Sequence, residues 1–352
     1  MPSRPGSSTA KFLPSNPTQP LQRAERRATN NEGQVVETGL PGGAARMSAC
    51  PGCGGSAQRP AFIAKDPLGP DSFALVTCQD CGVVFVQPIP SAEHIATSYA
   101  KGYYGRRHPA LKDFFMNQRA RQVGPPRGSG RLLDIGCGTG DFLLTCRKRG
   151  WTGVGVEQGG APVMQQQDAL AITVVSPERM HELEAGSFEV VTIWHVLEHL
   201  PEPRATLEAV RRLLSPSGRL VVEVPNFGGW QARIGGPDWF HIDAPRHLLH
   251  FDRRALESLL ARCGFVAERC HTFSLEYDAF GLLQTILNKA CRKQNHLFQM
   301  LIGWPTDRAP RDTLISLTLG VPLAALSTVV SLIAPAFGQG GVLRVIARKR
   351  GT

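Results

Sequence analysis

The segment from residue 131 to residue 272 alternates short apolar, β-branched runs with stretches of helical pattern. The runs begin at Arg131, Gly153, Ile172, Phe188, Arg219 and Val266, and a seventh, Val342–Ala347, follows a long apolar segment. Strands that are apolar on both faces and separated by helices are typical of a parallel sheet covered by helices on both sides. The sequence therefore predicts an α/β fold with a Rossmann-like seven-stranded sheet, in which a helical insertion precedes the last strand.

A glycine-rich loop joins the first run to a helical stretch. Glycines stand at positions 136, 138 and 140. Glycine lets the backbone pass close to a ligand, and the N–H groups at a helix start favour a negative group nearby. The spacing departs from the G-x-G-x-x-G of dinucleotide sites, which excludes an NAD(P) fingerprint. Glu157 ends the second run, where a carboxylate can accept hydrogen bonds from both hydroxyls of a ribose.

Four of the nine cysteines form two Cys-x-x-Cys-Gly turns, namely Cys50, Cys53, Cys78 and Cys81. The N-terminal segment lacks the charged-then-apolar pattern of a secretory signal, so we expect a reducing, cytoplasmic location. Paired turns of this kind bind Zn²⁺ tetrahedrally, and four thiolates leave no position open for a substrate. The sequence therefore predicts a structural zinc ribbon, with a redox site as the lesser alternative.

The loop Asp134-x-Gly136-x-Gly138-x-Gly140, followed by Glu157, resembles the cofactor signature of class I S-adenosylmethionine-dependent methyltransferases. Similar stretches continue at residues 187–191, 195–201, 214–222, 224–226, 245–251 and 263–265. They resemble the small-molecule subgroup whose fourth strand runs into His-x-Leu-Glu-His. The cysteine turns are similar to those of its zinc-bearing branch, which includes sugar C-methyltransferases.

This resemblance implies S-adenosylmethionine as the cofactor and assigns roles by position. The cofactor-binding residues would be Asp134, Gly136, Cys137, Gly138, Gly140, Glu157, Ser176 and His195. The glycines would let the backbone approach the methionine and ribose, Glu157 would hold the ribose diol, and Asp134 would order the loop or reach the ammonium through water. Many members carry an acid that contacts adenine where this chain has Ser176, a departure that leaves adenine recognition open.

Four histidines are the catalytic candidates: His195, His199, His241 and His247. Methyl transfer from a sulfonium mainly needs alignment, and a base only when the acceptor is weak. His195 and His199 follow the fourth strand, at the sheet edge where ligands bind in such folds. We expect His195 to line the methionine end of the cofactor. His241 and His247 belong to a loop expected over the acceptor, and a structural role is the alternative for each histidine.

The predicted function is methyl transfer to a small molecule: a sugar, a polysaccharide precursor or a secondary metabolite. Residues 47–280 hold 24 basic and 24 acidic residues, which argues against a broad basic face for nucleic acid. The alternatives are a zinc-ribbon RNA methyltransferase and a cofactor-binding scaffold without turnover.

The chain divides into six predicted segments. They are a disordered tail at 1–46 (with translation from Met47 as the alternative), a zinc ribbon at 48–90, a helical lid or linker at 91–127 that includes Tyr103 and Tyr104, a methyltransferase core at 128–275, an apolar helical insertion with basic flanks at 276–340, and the last strand with a tail at 341–352.

Residues 313–339 carry no charge. A span of a bilayer needs roughly 20 residues, which this segment exceeds. One crossing would separate the last two strands, which we expect to pair antiparallel. The sequence therefore predicts peripheral or re-entrant contact with an anionic cytoplasmic leaflet through residues 313–350, with breaks at Pro322 and Pro335. The alternatives are a buried or homodimer-forming helical pair and a true span. Membrane contact would suit a lipid-linked acceptor.

Overall fold

The computed structural model describes residues 48–99, 109–158, 163, 168, 170–303 and 309–351. The predicted tail at 1–46, together with Tyr103 and Tyr104, lies outside the described residues. The strands are β1 Gln58–Lys65, β2 Ser72–Cys78, β3 Val84–Val86, β4 Arg131–Ile135, β5 Thr152–Val156, β6 Thr173–Val175, β7 Phe188–Trp194, β8 Leu214–Pro225, β9 Leu249–His250, β10 Phe265–His271 and β11 Val342–Lys349.

Helices cover the larger sheet and connect most of its strands. They span Ala92–Tyr99, Pro109–Val123, Asp141–Arg147, Pro203–Leu213, Trp230–Gly235, Arg253–Arg262, Asp278–Ala290, His296–Leu301 and Pro310–Ile333. Short 3₁₀ turns lie at Pro177–Glu182, Leu197–His199, Gly236–Asp238, Phe240–Ile242 and Ala334–Phe337. The helix Arg253–Arg262 begins after Asp252, whose carboxylate accepts a hydrogen bond from the Ala255 N–H at 2.7 Å. This bond caps the helix.

The larger sheet has seven strands in the order β10-β11-β8-β7-β4-β5-β6, and this confirms the predicted fold. The strands from β4 to β8 pair in parallel, whereas β11 is antiparallel to both β8 and β10. Central side chains such as Leu133, Val191 and Leu220 are fully buried, as their apolar runs require. The carboxyl ends of β4, β5 and β7 therefore meet at one edge of this sheet.

The smaller sheet joins the cysteine turns to a distant part of the chain. Its order is β1-β2-β3-β9, and β9 comes from the loop that follows β8. Val84 pairs with His250 in this sheet, and the Val86 N–H donates to the Leu248 carbonyl at 3.0 Å. His250, which stands two residues before the helix cap Asp252, lies in β9 and is buried, because this two-residue strand completes the edge of the smaller sheet.

The insertion consists of helices that pack side by side. Asp312, at the start of the long helix, accepts hydrogen bonds from the backbone N–H groups of Arg292 and Lys293 at 3.2 and 2.9 Å. The expected break at Pro322 is wrong, since the helix runs through it from Pro310 to Ile333. A proline removes one N–H from the ladder, and the turns on either side hold the helix together. By length and composition, Pro310–Phe337 is the one described helical segment that could cross a membrane.

Candidate functional site

The glycine loop after β4 is held by three left-handed residues. Gly136, Gly138 and Gly140 have φ of +73°, +57° and +77°, a region that disfavours any side chain with a Cβ. A Cβ at Gly136 would overlap Val196, and one at Gly140 would lie 2.6 Å from Ile172 Cδ1. A Cβ at Gly138 would meet no atom of the described residues within 4 Å. The outer two glycines thus allow close packing, whereas the middle one borders open space.

Glu157 lies directly against this loop, at the end of β5. Its Oε2 accepts a hydrogen bond from the Gly138 N–H at 2.6 Å, and its Oε1 accepts one from the Gln158 N–H at 2.9 Å. A carboxylate oxygen has two lone pairs, so each oxygen can accept a further hydrogen bond. The half-buried carboxylate can therefore receive two hydroxyl groups beside the open space at Gly138.

Asp134 and Cys137 lie behind the loop. Asp134 is buried, and its Oδ1 accepts a hydrogen bond from the Thr192 hydroxyl at 2.6 Å. Burial raises the pKa of Asp134 to about 7, against the opposing effects of Thr192 and Arg119. Burial also raises the pKa of the Cys137 thiol, so this cysteine packs as a neutral side chain. Neither side chain is exposed at the surface of the loop.

Ser176 follows β6, the strand that pairs with β5. It is half-buried and starts the turn Pro177–Glu182. Its hydroxyl forms a hydrogen bond with Glu178, which lowers the pKa of that exposed carboxyl. Ser176 can offer one hydrogen-bond contact to a ligand at this end of the sheet.

His195 follows β7 with a backbone φ of +53°. This left-handed conformation is strained for a residue with a side chain. Its Nε2 lies 3.1 Å from Glu223 Oε1, its Nδ1 lies 3.4 Å from Glu198 Oε1, and its ring centroid is 4.1 Å from that of Tyr277. Burial opposes the charged form, but Tyr277 and the two carboxylates outweigh it and hold the pKa of His195 well above its ordinary value. The surroundings of His195 therefore favour its charged form over the neutral ring.

Glu223, on β8, lies between two cationic side chains, His195 and Arg344. Arg344 Nε, on the neighbouring strand β11, donates to Glu223 Oε2 at 2.6 Å. Burial raises the pKa of Glu223, yet His195 and Arg344 lower it to about 2 overall. Glu223 and Arg344 were missed as site residues, although a charged residue inside each of two apolar strands was the available signal.

His199, His241 and His247 lie together near the turn Leu197–His199, which follows β7. The rings of His199 and His247 are edge to face at 4.6 Å, and His247 Nδ1 donates to the His241 carbonyl at 2.7 Å. Burial, reinforced by His247, lowers the pKa of His199 to about 4 and that of His241 to about 3. These two histidines are neutral at physiological pH.

Glu198 lies among the four predicted histidines and was missed as a site residue, although it is part of the His-x-Leu-Glu-His motif. It is only 1% exposed. Burial raises its pKa, but His195 and His199 lower it to about 2, so the carboxylate is charged. Val196, next to His195, packs on Gly136, and the histidine cluster is therefore a neighbour of the glycine loop.

The four cysteines converge as the two turns predict. Cys50 Sγ lies 3.6 Å from Cys81 Sγ, and Cys53 Sγ lies 3.5 Å from Cys78 Sγ. All four sulfurs are within 4.8 Å of one another. Zinc–sulfur bonds of about 2.3 Å imply edges of about 3.8 Å in a tetrahedral site. The residues thus fit a Zn²⁺ ion.

The chain was compared with known families and proteins. Residues 106–269 match the family described as a methyltransferase domain. A stretch of 103 residues is 33% identical to the ubiquinone biosynthesis O-methyltransferase of Pseudomonas aeruginosa, which covers 27% of this chain and 44% of that protein. The protein of the same name from Hahella chejuensis is 31% identical over 119 residues, or 32% of this chain and 48% of that protein. The chain thus spans less than half the length of these relatives.

A solved structure of phosphoethanolamine N-methyltransferase 2 from Haemonchus contortus aligns with a TM-score of 0.47 at 14% identity. The alignment covers 76% of this chain and 62% of that one.

Proposed function

Because residues 106–269 are a methyltransferase domain by their family match, we propose that the protein transfers a methyl group from S-adenosylmethionine to a hydroxyl of a small molecule. The observation that carries the proposal is the surface formed by the Gly138 backbone and the Glu157 carboxylate, here called the cofactor seat. The loop backbone borders open space there, and a carboxylate with two oxygens able to accept stands beside it. A ribose diol is the ligand that this arrangement suits.

The remaining residues of the loop support the same cofactor. Gly136 and Gly140 hold the loop against Val196 and Ile172, which fixes the position of the Gly138 N–H. Asp134 orders the loop from behind through Thr192. His195 carries a positive charge at the sheet edge and is placed by Glu223, so it can face the carboxylate end of a bound amino acid.

S-adenosylmethionine, when bound, supplies an electrophilic methyl group on sulfur. The acceptor oxygen forms a bond to the methyl carbon as the carbon–sulfur bond breaks, and the hydroxyl proton leaves. His199, His247 and Glu198 offer the imidazole nitrogens and the carboxylate toward which an acceptor hydroxyl can donate. His241 acts through His247, whose ring it orients with its carbonyl oxygen.

The acceptor class rests on two supports. The relatives from Pseudomonas aeruginosa and Hahella chejuensis are named O-methyltransferases of ubiquinone biosynthesis, which favours a hydroxyl of a small molecule over a nucleic acid. The equal numbers of basic and acidic residues in 47–280 point the same way. A sugar, a polysaccharide precursor or a lipid-linked intermediate all fit, and an RNA acceptor is the outcome that the labelling experiment below would reveal.

A Zn²⁺ ion in the cluster of Cys50, Cys53, Cys78 and Cys81 would be structural. Four thiolates close the coordination sphere, so the ion would stabilise the smaller sheet and take no part in the reaction. Because β9 belongs to that sheet, the ion would also fix the loop that carries His247.

The cofactor seat is tested by calorimetric binding of S-adenosylhomocysteine. Hydrogen bonds to a charged group contribute about 1.5–3 kcal/mol, so Glu157→Ala is expected to weaken binding by about 10- to 150-fold. Glu182→Ala removes an exposed carboxylate outside the loop and should bind as the wild type does. Equal affinity for the wild type and the Glu157 variant would contradict the proposed seat.

A further inference from the structure

Three side chains that can ligate a metal ion lie close together in the histidine cluster. One ligand atom from each of Glu198, His199 and His247 lies within 4.8 Å of the others. Glu198 and His247 are buried, and His199 is half-buried. A carboxylate and two imidazoles at this separation can ligate one metal ion.

The backbone decides which nitrogen of each ring is available. His199 Nδ1 lies 2.9 Å from the Arg246 carbonyl oxygen, and His247 Nδ1 lies 2.7 Å from that of His241. A carbonyl oxygen can only accept, so each Nδ1 carries a hydrogen and Nε2 is the ring nitrogen left to bind a metal ion. The Tyr99 hydroxyl oxygen, 2.7 Å from the same His199 nitrogen, can share its hydrogen as a second acceptor. A backbone carbonyl on the far nitrogen is also the usual support of a metal-binding histidine.

The carboxylate of Glu198 is equally available. Among the described residues, neither oxygen accepts a hydrogen bond, although the side chain is almost fully buried. The nearest cationic group is His195, whose Nδ1 lies 3.4 Å from Oε1 while its Nε2 contacts Glu223. This one ion pair leaves lone pairs on both Glu198 oxygens for a further cation.

We propose that Glu198, His199 and His247 bind a divalent transition-metal ion, with its remaining positions open to the acceptor oxygen. Two imidazoles and a carboxylate suit Zn²⁺, Co²⁺ or Ni²⁺ better than Mg²⁺, which prefers oxygen ligands. Three protein ligands are typical of a catalytic ion, whereas the four cysteines form a closed site. Resting on the proposed methyl transfer, this ion would bind the acceptor hydroxyl and lower its pKa.

The test is a Co²⁺ titration of the full-length, zinc-loaded protein by calorimetry and visible absorption. The wild type should bind one Co²⁺ without the thiolate charge-transfer band that marks cysteine ligands. Glu198→Gln and His247→Gln should each weaken binding at least about 10-fold. His181→Gln, an exposed histidine elsewhere, should leave the affinity unchanged.

Circular dichroism and thermal unfolding establish that each variant is folded, and His199→Gln provides a third ligand variant should one of the others fail to fold. Failure of the wild type to bind Co²⁺, or equal binding by the folded ligand variants, overturns the site. Loss of the metal site with S-adenosylhomocysteine binding intact leaves the proposed function in place. Metal binding without S-adenosylhomocysteine binding would support the metal site and contradict the proposed function.

A second, independent observation concerns the long helix Pro310–Ile333. Its buried positions are polar: Asp312, Ser316, Ser327 and Ser331. Most of its exposed positions, continued by the following turn, are large and apolar, and nine of these are at least 43% exposed: Leu314, Leu317, Leu319, Val321, Leu326, Val329, Leu332, Ile333 and Phe337. At about 100° per residue, Leu314, Val321 and Leu332 fall on the side opposite Asp312. The apolar face therefore points away from the protein.

The other face of this helix is fully used. Asp312 binds the backbone after the helix Asp278–Ala290, and Ser331 borders a small cavity with Asp278 at the other end of that helix. The long helix thus lies along its neighbour over the neighbour's full length, antiparallel to it. Because the helix lies flat on the protein, its apolar face is exposed along the helix. The helix does not extend away from the protein as a membrane-spanning segment would.

Exposed cationic side chains near the long helix indicate which kind of partner its apolar face contacts. Lys289, Arg292 and Arg311 are exposed around the start of the long helix. An apolar helix face flanked by cations suits the surface of an anionic bilayer. We further propose that the apolar face of Pro310–Phe337 lies in the interface of an anionic membrane, parallel to its plane, a position that favours a lipid-linked acceptor.

Co-sedimentation with phosphatidylcholine vesicles containing phosphatidylglycerol tests this contact. The wild type should bind, more weakly in high salt and to pure phosphatidylcholine. The double variant Val321→Asp/Leu332→Asp should reduce binding at least about 10-fold, and Ile63→Asp, an exposed apolar residue of β1, should not. Wild-type protein that stays in the supernatant overturns the proposal. A dimer in light scattering that the double variant dissociates would also overturn it, because the face would then pair with a second copy.

Discussion

Alanine at Gly136 and at Gly138 should separate the packing of the loop from its ligand-binding surface. Both residues are left-handed. An L-residue in that conformation costs about 1–2 kcal/mol. At Gly136 the new methyl group also overlaps Val196, and overpacking adds about 1–3 kcal/mol. The expected losses in free energy of unfolding are therefore about 2–5 kcal/mol for Gly136→Ala and about 1–2 kcal/mol for Gly138→Ala.

Gly138→Ala, the less destabilising of the two variants, should be the one that directly weakens ligand binding. The methyl group of Gly138→Ala enters the open space beside Glu157, where the ribose would lie, so binding of S-adenosylhomocysteine should fall well below that of the wild type although the protein stays folded. Urea unfolding gives the stabilities, and calorimetry gives the affinities. The reasoning is refuted if Gly138→Ala is as unstable as Gly136→Ala, or if it binds the ligand as tightly as the wild type does.

Three further predictions concern the zinc ribbon, the pH dependence of stability and a helix cap. Cys53→Ser should increase hydrogen exchange in β1–β3 and in β9 together, since β9 belongs to the same sheet, whereas Cys270→Ser should not; an unchanged β9 would contradict this. Burial raises the pKa of Asp134 to about 7, from about 3.9 in the unfolded chain. Its contribution to stability is therefore greatest below about pH 4 and falls as the pH rises to 7, by at most about 1.4 kcal/mol per pH unit. Urea unfolding of Asp134→Asn should show a flatter profile over this range, and equal slopes would argue against it. Asp252→Ala, which removes the acceptor of the Ala255 N–H, should lower the free energy of unfolding by about 1 kcal/mol and Asp252→Asn by much less, and equal losses would rule out capping as the cause.

The sheet, the glycine loop and the cysteine cluster could be predicted because short segments determine them. Gly136, Gly138 and Gly140 show the loop by their spacing alone, and each cysteine turn is complete within five residues. The break expected at Pro322 failed because packing along a neighbouring helix outweighs the local effect of a proline. Local patterns are reliable here only where no distant segment competes.

The histidine cluster depends on distant contacts and could be predicted only in part. The motif placed His195 and His199 at the sheet edge, but the roles of the rings follow from carbonyl groups and carboxylates far along the chain, such as Arg246 and Glu223. The strand β9 has two residues and no pattern of its own. Glu198 was visible in the motif, yet only its burial among histidines shows what it can do.

The destination of the methyl group tests the central claim most directly. The full-length protein is incubated with methyl-labelled S-adenosylmethionine and a cell extract divided into lipid-linked, soluble small-molecule and nucleic-acid fractions. Glu157→Ala, which lacks the carboxylate beside Gly138, is the matched control. We predict label in a small-molecule or lipid-linked fraction that depends on Glu157. Label confined to RNA, or no transfer to any fraction by a protein that binds S-adenosylhomocysteine, would contradict it.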